Sequence, residues 1–209
     1  MVAAEESRWD RKHRAIMEAA SALFLSQGYL GASMDDVAAA AAVSKHTVYS
    51  HFADKEQLFS AIILATTDQI DELVGAVAST LADTDDLERD LGELARRFLD
   101  ALMEPDLLRL RRLVIANADR FPDLGRTWYE NGFERVLVVL ATSFQRLADR
   151  NLLRVNDPLL AANHFVGLAL WIPVNRAMFT GDHNHDTTAD LDRYARAAAS
   201  AFLGAYGRS

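Results

Sequence analysis

The feature that most constrains the fold is a run of twenty residues, 33–52, in which two helix starts lie eleven residues apart. Ser33 can accept hydrogen bonds from the free N–H groups of a first helix, and Asp36, three residues later, completes the spacing of a capping box. Ser44 is a second N-cap candidate, so a new helix is expected to begin at Lys45. The run therefore predicts two short helices joined by a tight turn.

The second of these helices is too polar to be a core helix, because only Val48 and Phe52 are clearly apolar. Its other side chains are Lys45, His46, Thr47, Tyr49, Ser50 and His51. A short helix with such a face, preceded by a small buried helix, is what insertion into the major groove of DNA requires. An ordinary solvated helical hairpin fits the pattern about as well, so these residues alone leave both interpretations open.

A longer pattern extends over roughly the first third of the chain, through Ile16, Ala19, Ala20, Leu23, Phe24, Gly28, Tyr29, Ser33, Val37, Ala38, Ala41, Val43, Ser44, Thr47, Tyr49, Phe52, Lys55 and Leu58. In the order and spacing of these residues the chain resembles the TetR family of bacterial transcriptional regulators. One departure is Ala42, where the family usually has Gly in the turn. Alanine in a left-handed conformation costs about 1 kcal/mol, so we expect a slightly strained or differently shaped turn.

Composition favours an all-α protein with short connections. Half of the 209 residues are apolar, while Gly and Pro number only ten and four. There is no Cys, which excludes disulfides, thiolate metal sites and a Cys nucleophile. The first residues are acidic and lack the apolar core of a secretory signal, and no uninterrupted apolar run is long enough to span a membrane. We therefore expect a soluble cytoplasmic protein that does not engage a membrane.

The net charge of −8 argues against DNA binding at first sight. Residues 1–60 carry six Lys/Arg and eight Asp/Glu, which is −2, and the remainder carries −6. The three lysines nevertheless all lie in that first part, and three arginines join Lys12 near its start. Phosphate attraction depends on local potential, so a basic face on an acidic body can still bind a duplex.

Helical periodicity and caps predict about nine helices, three small and then six longer, which is also the architecture that the resemblance implies. The expected domains are a helix-turn-helix DNA-binding domain and a helical ligand-binding and dimerisation domain, connected by a helix from 55 to about 80; their ranges are 8–54 and 55–209. Gly28 is expected to end the first helix in a left-handed conformation, and Pro173 to kink a late one. The second half resembles, more loosely, the branch of AefR-type repressors, through 112–116, 121–124 and 153–158.

The resemblance implies a set of DNA contacts. Phosphates are expected to be held by backbone N–H groups together with Ser33, Tyr49, His51 and Lys55, while Lys45, His46 and Thr47 face base edges beside the N-cap Ser44. For Lys55 a solvated lysine is the alternative.

Two late helices, near 157–180 and 188–206, are rich in small residues that permit close helix approach. The resemblance implies a homodimer in which both subunits contribute these two helices to a four-helix bundle, reading a palindromic double-stranded operator. Alternatively, the small residues simply pack together within one subunit. They are Ala161, Ala162, Gly167, Ala169, Ala195, Ala197, Ala198, Ala199 and Ala201.

The resemblance implies an apolar cavity for a small-molecule effector in the larger domain, although each candidate residue is individually more often core than pocket. The candidates are Phe98, Leu102, Met103, Trp128, Tyr129, Phe133, His164, Phe165, Trp171 and Asn175. The stretch 182–186 has four metal-ligand side chains, but a flexible polar loop is favoured, so no metal is expected. No catalytic motif or cofactor site is recognised. The predicted function is a repressor that a small apolar or amphipathic ligand releases from its operator. The rival is a helical small-molecule-binding protein that no longer binds DNA.

Overall fold

The computed structural model describes residues 7–65, 70–182 and 185–208. Within those ranges the chain forms eleven α-helices and a π-helical turn, and no β-strand, which confirms the all-α expectation. The helices are α1 (Arg8–Gly31), α2 (Met34–Ala40), α3 (Lys45–His51), α4 (Lys55–Ala65), α5 (Ile70–Ala82), α6 (Leu87–Leu102), α7 (Pro105–Ala116), α8 (Pro122–Tyr129), α9 (Arg135–Asp149), α10 (Pro158–Thr180) and α11 (Thr188–Tyr206).

The helix expected from 55 to about 80 corresponds to α4 and α5, and residues 66–69 between them lie outside the described ranges. The helix expected from 123 to 150 is α8 and α9, joined without a break by the π-helical turn Glu130–Glu134. A π-helical turn adds one residue to a helical repeat and often occurs at functional sites. The π-helical turn cannot be deduced from side-chain periodicity.

The chain divides into two compact units. The first contains α1–α4 and the segment Arg109–Thr127; the second contains α5, α6, α9, α10, α11 and the chain around them. α4 belongs to the first unit because its buried side chains pack against α1. These are Leu58, Phe59, Ile62 and Ile63. The compact unit is thus wider than the expected DNA-binding domain, whose boundary at residue 54 stays a prediction.

In the first unit, Gly28 interrupts the regular geometry of α1, with φ 73° and ψ 172°. The positive φ was expected, whereas ψ lies outside the left-handed helical region and α1 runs on to Gly31, so Gly28 kinks the helix and does not end it. This combination of angles is accessible essentially to glycine alone. The interruption lets Tyr29 turn inward, where it packs against Phe24 and Phe59 with ring centroids 6.0 and 4.9 Å away. Tyr29 is buried, so this aromatic cluster fixes the end of α1 against α4.

In the second unit, α11 packs on α6, and α10 packs on α9 and α11. Its core centres on four fully buried phenylalanines in mutual ring contact: Phe98, Phe144, Phe165 and Phe202. α10 begins at the Asp157 cap, includes Pro173 and runs on to Thr180, where Gly181 with φ 74° ends it. The packed core explains why a long helix tolerates an internal proline.

Among the described residues, α10 is the one helix with the length and apolar character needed to cross a membrane. Of its most apolar window, 44% is buried inside the protein. A core helix of a soluble protein has the same character, so this finding is weak evidence for a membrane span.

Candidate nucleic-acid interface

The first short helix, α2, is fixed at its start by a reciprocal capping box. The Ser33 hydroxyl oxygen accepts from the Asp36 backbone N–H at 3.1 Å, and the Asp36 carboxylate accepts from the Ser33 N–H at 3.2 Å. Met34, Val37 and Ala38 are buried beneath it. The capping prediction is confirmed, and the Ser33 side chain is occupied by the cap in this structure.

The turn after α2 is a Schellman motif. The Val43 N–H donates to the Ala38 carbonyl at 3.0 Å, and the Ala42 N–H donates to the Ala39 carbonyl at 3.2 Å. Ala42 lies between them with φ 52°. The alanine therefore adopts the left-handed conformation for which glycine is preferred, and the expected strain is present while the turn keeps its usual hydrogen bonds.

The second short helix, α3, is held from one side and open on the other. The Ser44 hydroxyl oxygen accepts from the Thr47 N–H at 3.1 Å and caps it. Val48 is completely buried and Phe52 is 6% exposed, so these two side chains anchor the helix. The outward side carries Lys45, His46, Tyr49 and Ser50, with Thr47 half-buried. Two buried apolar side chains thus anchor a helix whose other side is polar and faces solvent.

Lys45, expected to face base edges, is paired with a carboxylate in the free protein. Its ammonium donates to Asp35 of α2 at 3.0 Å and lies 2.8 Å from the other oxygen. The hydrogen bond and the charge of Asp35 raise the pKa of Lys45, so it stays cationic. Both side chains are more than half exposed, so the pair is weak and can open towards a phosphate or base.

His51, expected to hold a phosphate, lies under an aromatic neighbour. The Trp9 ring of α1 stacks on it with centroids 3.6 Å apart, and His13 is 5.6 Å away. Both ring nitrogens of His51 are buried without a hydrogen-bond partner. Burial, followed by the positive charges of His13 and Lys12, lowers its pKa. In this arrangement the imidazole is a neutral stacking surface for Trp9 and turns no nitrogen to solvent.

Lys55, at the first turn of α4, is half-buried and oriented by two contacts. Its ammonium donates to the Ala32 carbonyl at 2.6 Å and lies 4.5 Å from the centre of the Tyr29 ring. Burial, and next the charge of Arg120, lower the pKa of Lys55. An ammonium has three donors, so donors are left for an anion beside the N-terminus of α4.

Sequence reasoning missed three residues of this surface: Trp9, Asp35 and Arg120. Trp9 stands on the exposed start of α1, and no periodicity links it to α3. Asp35 has the position of an ordinary first-turn helix acid, and Arg120 lies 65 positions from Lys55. Only Asp35 could have been recognised from the sequence, because an acid at the N-terminus of α2 can form an ion pair with a lysine on the other side of the turn.

The expected effector-binding residues are dispersed over the second unit. Phe98, Met103 and Phe165 are buried in its core, with Leu102 and Phe133 packed partly against it. Trp128 and Asn175 are half-buried. In contrast, Tyr129 is 48% and Trp171 71% exposed, and the exposed His164 shares a hydrogen bond of 2.6 Å with the Tyr206 hydroxyl. The cavities described in this unit are lined by other residues, so the effector site remains a prediction.

The small residues of α10 and α11 fall into two groups. Six are buried within the subunit, as the alternative interpretation expected: Ala161, Ala162, Ala169, Ala195, Ala198 and Ala199. The outer face of α10 is instead a stripe at helical spacing that we call the α10 stripe: Leu160, His164, Gly167, Leu168, Trp171 and Ile172. The outer face of α11 is a stripe of small residues: Ala197, Ser200, Ala201, Gly204 and Ala205.

The loop between α10 and α11 is tied to the protein by an acid. Asp186, whose side chain is 3% exposed, pairs with Arg176 at 2.8 Å and accepts from the Tyr194 hydroxyl at 3.2 Å. Two of the potential metal ligands, His183 and Asn184, lie outside the described residues. Asp186 is therefore used in holding the loop, and the absence of a metal here stays a prediction.

A capped helix, a tight turn and a second capped helix whose polar side faces outward define the class of helix-turn-helix nucleic-acid-binding proteins. Comparison with known proteins agrees with this geometry. Residues 16–62 match the family described as bacterial regulatory proteins of the tetR family, and residues 89–208 match the AefR-like transcriptional repressor C-terminal domain. The chain therefore belongs to the TetR family of transcriptional regulators, which confirms the resemblance.

Solved structures match over nearly the full length of the chain. A protein from Mesorhizobium loti MAFF303099, described as a TetR-family transcriptional regulator, is 49% identical with a TM-score of 0.88, over 97% of this chain and 100% of that one. The flavonoid-responsive regulator FrrA is 30% identical with a TM-score of 0.69, over 94% of this chain and 97% of that one.

Two relatives match over shorter stretches. The transcriptional activator FasR of Mycolicibacterium smegmatis is 34% identical over 91 residues, which is 44% of this chain and 40% of that protein. The transcriptional regulator AcrR of Shigella flexneri is 38% identical over 69 residues, 33% of this chain and 31% of that protein. Each match thus spans less than half of the relative's length.

Proposed function

We propose that this protein is a dimeric repressor that binds a palindromic DNA operator through α3 and leaves it when a small molecule binds the second unit. The observation that supports the DNA-binding part is the outward polar face of α3, which is anchored to the protein by two apolar side chains, Val48 and Phe52. Lys45, His46 and Thr47 would face base edges, and Tyr49 and Lys55 would hold phosphates. The protein would act in the cytoplasm, where bacterial DNA lies.

Dimerisation is required by the size of the reading element. One seven-residue helix reaches few base pairs, whereas two copies related by two-fold symmetry reach successive major grooves about 34 Å apart. The α10 stripe supplies a solvent-facing apolar surface, with Trp171 71% exposed. Together with the small residues of α11, it would form the four-helix interface. In this proposal the outer side chains make the contact, and the buried alanines belong to the subunit core.

The effector is proposed to be a small apolar or amphipathic molecule. Support comes from the family and from FrrA, whose description names it as flavonoid-responsive. The π-helical turn also supports an effector site in the second unit, since such turns often occur at functional sites. It contains the half-buried Phe133, which lies beside the buried core of that unit. Binding would favour a state whose two α3 helices are wrongly spaced for the operator, so release would follow from differential affinity.

The test of DNA binding is selection from a random duplex library with the purified full chain, together with a gel shift on the intergenic DNA upstream of its gene. We expect enrichment of a two-fold palindrome whose half-sites are one helical turn apart. Repeating the selection with His46→Ala should relax the preference at one position of each half-site, while Glu18→Gln, an exposed charge change on α1, should leave it intact. A library that shows no enrichment would instead support the rival, a helical ligand-binding protein without DNA binding.

The test of the effector uses the selected operator and a panel of flavonoids. A compound that releases DNA should also raise the melting temperature of the free protein, because binding stabilises the folded state. A panel that neither releases DNA nor stabilises the protein would exclude this class of effector.

A further inference from the structure

The ring that supports Lys55 is itself held by a distant part of the chain. Tyr29 has Lys55 over its face at 4.5 Å and the Arg120 guanidinium at 5.2 Å. Phe121 packs edge-on against the same ring at 4.9 Å, and Arg120 also lies 5.4 Å from the Phe121 ring. Two cations therefore share one aromatic ring, and the second comes from the turn between α7 and α8.

That turn is held by hydrogen bonds within itself and to α7. Both the Arg120 and Phe121 N–H groups donate to the Asn117 carbonyl, at 3.0 and 2.9 Å. The Asn117 side chain in turn donates to the Leu113 carbonyl of α7 at 2.8 Å. Phe121 is 9% exposed, so it is packed in place and Arg120 is carried with it. We call residues 117–121 the Asn117 turn.

The Asn117 turn has an unusual place in the chain. It lies in the segment Arg109–Thr127, which packs with the first unit although Leu108 before it and Trp128 after it belong to the second. Both ends of this segment are covalently joined to the second unit. A displacement of either end would therefore be transmitted along the chain to the residues that contact Tyr29.

The orientation of Lys55 depends on Tyr29 in a specific way. One donor of the ammonium is used by the Ala32 carbonyl, and the ring face fixes a second direction, so the remaining donor has a defined direction. The negative face of the ring attracts the ammonium, so this contact and the Ala32 hydrogen bond together favour one orientation of the Lys55 side chain. Displacing the ring would release Lys55 from this orientation without removing its charge.

We propose that Arg120 is a positioning residue for DNA binding: it holds the Tyr29 ring on which the Lys55 ammonium lies, so that the Asn117 turn sets how well Lys55 meets a phosphate. The proposal rests on the proposed function, and adds to it a residue outside the helix-turn-helix and a route by which operator affinity is regulated. Arg120 acts through its neighbours and does not itself touch DNA.

The test is a double-mutant cycle on the selected operator, with Arg120→Gln, Lys55→Ala and the double variant measured at several salt concentrations. Lys55→Ala should weaken binding and reduce the salt slope by about one, because one phosphate contact is lost. Arg120→Gln should weaken binding about fourfold with the salt slope unchanged, and should have less than a twofold effect when Lys55 is already Ala. Arg120→Lys, which keeps a cation over the ring, should recover most of the affinity.

The matched control is Arg126→Gln, the same charge change on an exposed arginine of the same segment, paired with Asp123 at 3.5 Å; it should bind like wild type. A reduced salt slope in Arg120→Gln would make Arg120 a phosphate contact and overturn the proposal. Effects of Arg120→Gln that are equal in both backgrounds, or absent, would also overturn it. Should Arg120→Gln unfold, Arg120→Met, which keeps an unbranched side chain without the charge, takes its place in the cycle with the same expectations. Failure of the proposed function is distinguished by wild-type protein that selects no operator at all.

Discussion

Two pairs of helices in this protein present a face to solvent, and the two faces are chemically opposite. The pair α2 and α3 exposes lysine, histidine and tyrosine, and buries little more than Val48 and Phe52 beneath α3. The pair α10 and α11 buries phenylalanines and alanines and exposes leucine, tryptophan and isoleucine on its outer side. A polar outer face needs no partner to be stable in water, whereas a contiguous apolar stripe indicates one. In the proposed function, the first face contacts DNA and the second contacts another copy of the chain.

The largest effect is expected from breaking the apolar face. Replacing Leu168 and Trp171 together by Glu should weaken dimerisation more than about 100-fold, because exposed aromatic and aliphatic anchors dominate interface energies. Sedimentation velocity over a concentration series measures this, and operator binding should be lost in parallel. Tyr129→Glu, at a residue 48% exposed but off the α10 stripe, is the control and should remain dimeric. A fully dimeric double variant would show that the outer face of α10 is not the interface.

Breaking the polar face should have a smaller but selective effect. Tyr49→Ala should weaken operator binding about 20-fold through loss of a phosphate hydrogen bond and of ring contact, with the dimer intact. Tyr49→Phe separates the two contributions and should retain an intermediate affinity. Fluorescence anisotropy with labelled operator measures both variants. If Tyr49→Ala bound the operator with wild-type affinity, α3 would not be the helix that contacts DNA.

The backbone strain in the polar pair of helices is confined to the turn between α2 and α3, at Ala42. Ala42→Gly should raise the free energy of unfolding by about 1 kcal/mol, since glycine adopts a φ of 52° without the clash that Cβ causes. Thermal denaturation should show a melting temperature about 2–4 °C higher. Ala39→Gly, on the exposed side of α2, is the matched control and should destabilise. A lower melting temperature for Ala42→Gly would contradict the strain argument.

The smallest effect is expected from the acid that pairs with Lys45. Asp35→Asn should strengthen DNA binding about threefold, because it frees the ammonium and removes a negative charge near the duplex. The salt slope should steepen if Lys45 then neutralises a phosphate. Glu18→Gln makes the same charge change on α1 and should have less effect. Weaker binding by Asp35→Asn would mean that Asp35 orients Lys45 for DNA.

The two faces also differ in how far the sequence could predict them. The caps at Ser33 and Ser44 and the positive φ of Gly28 and Ala42 follow from residues a few positions apart, so they were predictable. The outward side of α10 depends on which of its faces α9 and α11 cover. The small residues alone left open whether they lie at a dimer interface or within the subunit, and Ala161 and Ala198 are buried within the subunit. Likewise, the stacking of Trp9 on His51 and of Arg120 on Tyr29 arises from tertiary packing between distant positions, to which local patterns are blind.

The positions of the tryptophans have a practical consequence. The chain has three, and two of them mark the two faces compared above: Trp9 lies 3.6 Å from the His51 ring at the end of α3, and Trp171 projects from α10. An indole stacked on imidazole and an indole in water emit differently. Replacing Trp128 and one of these two by Phe therefore leaves a single native optical signal, from Trp9 or from Trp171. Operator engagement and subunit association can then be followed separately, without an added dye, in the same protein.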